Sequence, residues 1–484
     1  MRILFVSSEA HPLIKTGGLA DVSGSLPAAL RKLGVDIRLL LPAYPIVLEK
    51  LHNKQHIVQL HGLPEVGSVN LLSGNMPDSG LEVMVIESAR LYSRPGGPYN
   101  DSHGSDWDDN VLRFGILSKV AAILSSRNSP LHDWIPDIVH CNDWQSGLTP
   151  AFLHYSDTAH AKSIISIHNL AFQGNFPSEW VSRLGLPGHS YQMHGLEYYG
   201  QMSFLKAGIY YANSITTVSP TYAREIQTEQ YGFGMQGLLA TRSHEIHGIL
   251  NGIEIQEWNP ATDPYLPSTY SIERLADKSK VKQSLQAQLG LETISHKPLL
   301  GVVSRLTHQK GLDLLLSIAE PLLARQCQIA LLGAGDPHME QGFRHLAQQY
   351  PGQISATIGY KEALSHQIMA GADMFIMPSR FEPCGLNQMY GLCYGTPPVV
   401  THTGGLADSV QDTNKLSLKN KTATGFVLEH ADSQSLLDTI DRALAYYQDT
   451  KSWQQIQRNG MQQDVSWARS AQAYFELYQS LIRY

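Results

Sequence analysis

Lys15-Thr16-Gly17-Gly18-Leu19-Ala20-Asp21 returns, all but its lysine, as Thr403-Gly404-Gly405-Leu406-Ala407-Asp408 near the other end of the chain. Each copy follows a β-like segment and opens a helix-like run. Paired glycines make a tight turn without Cβ atoms, so bare backbone can approach a ligand, and the N–H groups that open a helix lack partners within it. Such an end carries about half a positive charge and accepts phosphate. A single Gly-Gly reads as well as a plain strand-to-helix turn. Six residues repeated in order instead mark two halves built on one device, with both turns as candidate ligand loops facing one cleft. Lys15 adds an ammonium to the first.

Outward from the first copy, residues 2–7 are predicted as a buried strand, 19–33 as a helix and 36–41 as a second buried strand. That βαβ opening implies a parallel sheet. From 53 to 100 the pattern weakens into short strands and turns rich in Gly and Pro, which suggests an excursion or flap. Asp106-Trp107-Asp108-Asp109 precedes a helical run over 111–124. An Asp-x-Asp pair suits a divalent cation on a sugar nucleotide, but carboxylates gather at helix starts for dipole reasons alone, and no metal is assigned there. A strand at 137–141 ends in Asn142-Asp143-Trp144, and one at 162–167 is closed by His168-Asn169-Leu170-Ala171-Phe172-Gln173-Gly174. Polar residues at the carboxyl ends of parallel strands lie where open α/β sheets bind ligands. A lone histidine is often a satisfied core residue, yet His168 stands at a strand rim beside a Gly-bearing loop and is a candidate site residue.

A strand at 214–218, a helix at 221–230 and a strand at 247–250 complete the first half. After Asn251-Gly252, Pro260, Pro264 and Pro267 discourage regular structure, so the boundary is expected here. The predicted domains are 1–250, 251–463 and a closing helix in 464–484, whose Trp467, Tyr474, Phe475, Tyr478 and Leu481 need a partner surface. That helix is expected to cross back onto the first domain.

The second half restarts with a strand at 299–304, the loop Arg305-Leu306-Thr307-His308-Gln309-Lys310-Gly311 and a helix at 312–324. Arg305 and Lys310 on one short loop form either a solvated pair of charges or a cationic cradle suited to a diphosphate. Gly333-Ala334-Gly335 opens like a dinucleotide fingerprint, but His338 stands where Gly or Ala is required, which disfavours an oxidoreductase. Strands at 354–358 and 374–377 end at Gly359-Tyr360 and at Pro378-Ser379-Arg380-Phe381-Glu382-Pro383-Cys384-Gly385-Leu386. Glu382 sits on that loop between residues that restrict its backbone.

A chain of 484 residues suits two large domains. With 43% hydrophobic and 16% charged residues it has a soluble, globular composition. No apolar run approaches the roughly 20 residues of a membrane span, and a strand begins at once without a signal-peptide layout, so a cytoplasmic protein is expected. Cys141, Cys327, Cys384 and Cys393 show neither a disulfide framework nor zinc spacing. A net charge of -7 without a basic block argues against a nucleic-acid partner.

Taken in this order and at these separations, 15–21, 168–174, 304–311, 381–386 and 403–408 resemble the bacterial glycogen synthases, and KTGGLAD, SRLTHQKG and FEPCGL are shared with plant starch synthases. The resemblance runs from Met1 to the last helix. It implies an α/β GT-B fold, two facing Rossmann-like domains with a deep interdomain cleft that closes on substrate. It also implies retaining transfer of glucose from ADP-glucose to the non-reducing end of an α-1,4-glucan such as glycogen, without metal or cofactor. By the family pattern Arg305 and Lys310 hold the distal phosphates and Lys15 reaches them, Glu382 hydrogen-bonds the transferred glucose, and His168 lies beside it. Gly385 and Leu386 offer backbone N–H groups next to Cys384, Gly17, Gly18, Thr403, Gly404 and Gly405 lie near phosphate and sugar, and Tyr360 stacks on adenine. Asp21, Asp143, Asn169 and Asn251 are implied sugar ligands. Related transferases carry a second Glu eight positions after the first. Here that place is Tyr390. A transferase of the same fold with UDP-glucose or another acceptor is the nearest rival. A glucan-binding protein that has lost catalysis is disfavoured, because Lys15, His168, Arg305, Lys310 and Glu382 are all present.

Overall fold

Short runs of buried aliphatic residues alternate with helices along most of the chain, and in the computed structural model, which describes residues 1–483, they build two separate parallel-sheet units. One unit comprises Met1–Gly252 and the segment from Trp467 onward, the other Ile253–Ser466.

The strands of the first unit are β1 (Arg2–Val6), β2 (Asp36–Pro42), β3 (His52–Leu63), β4 (Gly67–Asn75), β5 (Glu82–Glu87), β6 (Ile138–Asn142), β7 (Lys162–Ile167), β8 (Asn175–Phe176), β9 (Glu197–Tyr198), β10 (Gln201–Ser203), β11 (Ser214–Thr217) and β12 (Ile246–Gly248). Nine of them form one sheet in the order β12-β11-β7-β6-β1-β2-β5-β4-β3, and β8, β10 and β9 form a small separate one. Central strands such as β6 and β7 are buried almost throughout, as a sheet covered on both faces requires. Residues 52–87 are not a flap: β4 pairs antiparallel with β5 and β3 with β4, extending the main sheet. The pattern looked weak because β3, HNKQHIVQLHGL, is an edge strand with most side chains in solvent.

The helix Gly18–Lys32 follows β1, and the final helix, Trp467–Ile482, packs against it. The final helix buries Tyr474 and Tyr478 beside His140 of β6, whose Nδ1 lies 2.6 Å from the Tyr478 hydroxyl.

In the second unit β13 (Leu299–Val303), β14 (Gln328–Gly333), β15 (Ile354–Ile358), β16 (Met374–Met377), β17 (Pro398–Thr401) and β18 (Phe426–Leu428) form a six-stranded sheet, β15-β14-β13-β16-β17-β18, with every pairing parallel. The helix expected over 312–324 is broken at Ile318 into Leu312–Ser317 and Ala319–Ala324. Pro321 lacks the N–H that would bond back to the Ser317 carbonyl, and its ring crowds that turn. In register, β13, β14 and β16 end side by side, and the polar loops of this unit project from those ends.

Candidate active site

In the first unit β1 runs into Ser7-Ser8-Glu9, and the Glu9 carboxylate turns back onto the KTGGLAD loop. It accepts hydrogen bonds from the Thr16 amide (2.5 Å), the Thr16 hydroxyl (2.8 Å), the Gly17 amide (3.3 Å) and the Tyr99 hydroxyl (2.9 Å). Burial raises the Glu9 carboxyl above its ordinary value, while these donors oppose the rise. Across the turn Lys15 Nζ is 2.7 Å from Asp21 Oδ1. The Cβ positions of Gly17 and Gly18 face open space, so nothing in the protein crowds this backbone.

At the ends of β6 and β7, Asn142, Asp143 and His168 form one hydrogen-bonded group. Asn142 Nδ2 donates to the Val6 carbonyl (2.9 Å), so its Oδ1 faces His168 Nε2 (2.9 Å) as an acceptor. His168 therefore carries its proton on Nε2 and presents Nδ1 as a lone pair. Burial depresses the imidazole to about 4, which keeps it neutral in ordinary buffers. Asp143 has φ 54 and ψ -171, a conformation that side-chain-bearing residues rarely adopt. Its Oδ1 accepts from the amides of His168 (2.7 Å) and Asn169 (3.4 Å), which holds the strained turn, and burial pushes its carboxyl up to about 7. Asn169 Oδ1 accepts from the Ala171 amide at 3.1 Å and so braces its own loop. Asn251 Oδ1 is buried and has no hydrogen-bond partner among the described residues. It has an acceptor to offer to a ligand hydroxyl.

In the second unit the loops after β13 and β16 are sewn together. Gly311 has φ 67, and a Cβ there would lie 2.0 Å from the Pro378 carbonyl oxygen, so only glycine fits this crossing. Arg380 donates its amide to the Gln309 carbonyl (2.9 Å) and its guanidinium, bidentately, to Asp313 (2.7 Å each). The result places Lys310 Nζ 2.5 Å from Glu382 Oε2, which also accepts from the Ser379 hydroxyl at 3.1 Å. Glu382 is only 6% exposed. Arg305, on the same loop as Lys310, is exposed, and its guanidinium makes no hydrogen bond or ion pair among the described residues.

The second TGGLAD turn packs differently from the first. Cβ atoms on Gly404 and Gly405 would sit 2.0 and 2.1 Å from the carbonyl oxygens of Glu382 and Cys384, and the Gly405 amide donates to the carbonyls of Glu382 and Pro383 (3.1 Å each). These glycines seat the FEPCGL loop, and through it Glu382. Cys384 is buried there, and the side chain of Gln388 donates to the Cys384 and Gly385 carbonyls (3.1 and 2.9 Å). Tyr360 is 68% exposed and donates its hydroxyl to Glu362. Tyr390 is buried, its ring 3.7 Å from that of Trp258 in a parallel stack that continues to His366 at 3.9 Å. It is a packing residue. Of the aspartates before the helix Asn110–Leu124, Asp109 pairs with Arg94 (2.9 and 2.7 Å) and Asp106 accepts from Asn100 (2.7 Å).

The sequence reading missed Glu9 and Asn142. Glu9 carries no motif, and its partners come from loops 7 and 90 residues away. Asn142 stands at the strand end Asn142-Asp143-Trp144, but only the fold shows that it sets the His168 tautomer. Chemically, the second unit offers two cations and a buried carboxylate at one strand edge, an arrangement suited to an anionic leaving group. The first offers a neutral imidazole acceptor, a carboxyl near neutrality and a pair of bare glycines.

Comparison with known proteins agrees with this division. The family described as starch synthase catalytic domain matches residues 2–241, and that described as glycosyl transferases group 1 matches residues 290–462. The chain is 54% identical to a glycogen synthase of Nitrosomonas eutropha, covering 100% of this chain and 97% of that protein. It is 50% identical to a glycogen synthase of Thioalkalivibrio sulfidiphilus over 100% of both. Among solved structures, the catalytic domain of starch synthase IV from Arabidopsis thaliana bound to ADP and acarbose superposes with a TM-score of 0.87 at 31% identity, covering 100% of this chain and 99% of that one.

Proposed function

The chain belongs to the glycogen synthase family, in company with the starch synthases, and is a glucosyltransferase; from that premise we propose how its residues carry glucose from ADP-glucose to the non-reducing end of an α-1,4-glucan, releasing ADP. The observation that carries the reading is the Lys310–Glu382 pair beside exposed Arg305. Breaking the bond between the anomeric carbon and phosphate leaves an anionic ADP and an oxocarbenium-like sugar, so catalysis needs groups that stabilise both as they separate. Arg305 and Lys310 oppose the growing phosphate charge. Each such contact contributes on the order of 3 kcal/mol, about a hundredfold in rate. Glu382, released by Lys310 as the diphosphate arrives, accepts from the glucose hydroxyls, and Gly385 and Leu386 donate backbone N–H groups.

In the first unit the reading assigns Lys15 to phosphate, beside Gly17 and Gly18, and Asp21, Asp143, Asn169 and Asn251 to sugar hydroxyls. His168, neutral and with Nδ1 bare, accepts from a hydroxyl. Tyr360 covers the adenine, and Thr403, Gly404 and Gly405 seat the Glu382 loop against the diphosphate. The acceptor hydroxyl attacks on the face that the phosphate leaves, and the departing phosphate takes its proton, so configuration is retained without a protein nucleophile. No described helix is long and apolar enough to cross a membrane, and both substrates are soluble, which supports a cytoplasmic reaction.

The test is to feed ADP-glucose to the enzyme with and without a short maltooligosaccharide and analyse product and protein by mass spectrometry. The expected product is lengthened by glucose units that an α-1,4-specific glucosidase removes completely, with the protein mass unchanged. A β-linked product, or glucose trapped on Glu382, would overturn the mechanism.

A further inference from the structure

His366 belongs to no diphosphate loop, yet it is one of the most constrained side chains of the second unit. The helix Glu362–Gly371 places Glu362 and His366 one turn apart on the same side, and the irregular segment holding Glu257, Trp258 and Asp263 passes over them. His366 is fully buried, its ring clamped by the parallel stack on Trp258 at 3.9 Å. Nδ1 lies 2.8 Å from Asp263 Oδ2, an acceptor-only oxygen, so Nδ1 carries a proton. Nε2 is buried without a hydrogen-bond partner among the described residues and lies 3.5 Å from Glu362 Oε1. Ligand atoms of Glu257, Glu362 and His366 all lie within 4.8 Å of one another. An imidazole nitrogen denied both water and a partner, and directed at carboxylates, needs an explanation.

We propose that His366 Nε2, Glu362 and Glu257 form a binding site for a divalent transition cation of the zinc class, with Asp263 as the carboxylate that orients the histidine. A carboxylate on one ring nitrogen and a metal on the other is the usual outer-shell arrangement of a metal-bound histidine, because it fixes the tautomer and raises the basicity of the ligating nitrogen. Imidazole combined with carboxylate favours zinc-like ions over Mg²⁺ or Ca²⁺, which prefer oxygen alone. Tetrahedral ligands about 2.0–2.1 Å from zinc stand roughly 3.3 Å apart, so the 3.5 Å separation of Nε2 and Glu362 Oε1 is already near that geometry. Glu257 is exposed, its ligand atom within 4.8 Å of the other two, and takes the third position, with water in the fourth. The cation ties the 257–263 segment to the helix Glu362–Gly371 and orders Glu362, whose other oxygen holds the Tyr360 hydroxyl. It supplies no step of glucosyl transfer.

The experiment is calorimetric titration of the chelator-stripped, full-length protein with zinc chloride, beside E257Q, E362Q and E257Q/E362Q. These variants leave His366, Asp263 and Trp258 in place, so the metal-free proteins are expected to melt like wild type. Wild type is expected to bind one equivalent and to gain melting temperature with zinc. Each single variant is expected to bind more weakly, and the double variant to lose both the equivalent and the thermal gain. Absence of a stoichiometric equivalent in wild type would overturn the proposal and leave Nε2 of His366 simply facing Glu362. An equivalent that persists undiminished in E257Q/E362Q, or a preference for Mg²⁺ over Zn²⁺, would overturn it as well.

Discussion

Lys310 and Glu382 neutralise each other across two loops: Nζ and Oε2 are 2.5 Å apart where the chain leaves β13 and β16. The pair is largely withdrawn from solvent, with side-chain exposures of 17% and 7%. At this depth both Lys310 and Ser379 hydrogen-bond to the Glu382 carboxyl group. In the proposed reaction the same lysine is the phosphate ligand, so substrate entry exchanges one anion for another at the ammonium.

Removing the lysine therefore has two separable effects. Lys310→Ala leaves a buried carboxylate unpaired and is expected to cost about 3 kcal/mol of stability, read as a lower melting temperature. It is also expected to lower the rate of ADP release about a hundredfold. Adding Glu382→Gln should recover melting temperature and no activity. Recovery of activity in the double variant would show that Lys310 serves only to neutralise Glu382.

Glu9 bears on the other unit. Its carboxylate gathers the Thr16 and Gly17 amides, and Glu9→Gln turns an amide nitrogen toward donors that it cannot satisfy. Losing that brace is expected to cost about 1–2 kcal/mol of positioning, roughly tenfold in kcat/KM for ADP-glucose. Steady-state kinetics measure it. Unchanged constants in a folded Glu9→Gln variant would mean that the loop holds itself.

How much of this was legible in advance differs from residue to residue. Arg305, Lys310 and Glu382 could be read because each stands on a short loop between a strand and a helix, where local pattern suffices. The repeated TGGLAD marked both halves, yet identical letters serve different ends: Gly17 and Gly18 face open space, while Gly404 and Gly405 make room for the Glu382 and Cys384 carbonyls. Only tertiary contact separates the two cases. Strand β3 read only as part of a weak run of short strands, not as an extension of the main sheet, because an edge strand need not alternate. Tyr390 could be seen to differ from a carboxylate, but its stack on Trp258 joins residues 132 positions apart, beyond the reach of any local pattern.

The buried histidines make stability depend on pH. Burial depresses His140 to about 3 from an ordinary 6.5. Between those values the unfolded chain binds a proton that the native chain refuses, so this contribution is present above 6.5 and is lost as pH falls. At about pH 5 the loss from His140 alone is about 2 kcal/mol. His168, near 4, acts in the same direction, whereas Asp143, near 7, opposes it, because there the native state keeps the proton. His140→Gln should melt below wild type near neutrality yet lose less on acidification to about pH 5. Parallel melting curves for the two proteins across that range would refute the assignment to His140.

In the proposed reaction, protein cations at the diphosphate drive transfer from ADP-glucose to glucan. Its most direct test mixes the protein with ADP-glucose and glycogen in EDTA and follows ADP release and chain length, with UDP-glucose in parallel. Rapid release from ADP-glucose with lengthened chains is expected, and little from UDP-glucose. Turnover with UDP-glucose alone would overturn the donor assignment, and a requirement for added Mg²⁺ that Zn²⁺ does not meet would overturn the assignment of the positive charge to Arg305 and Lys310.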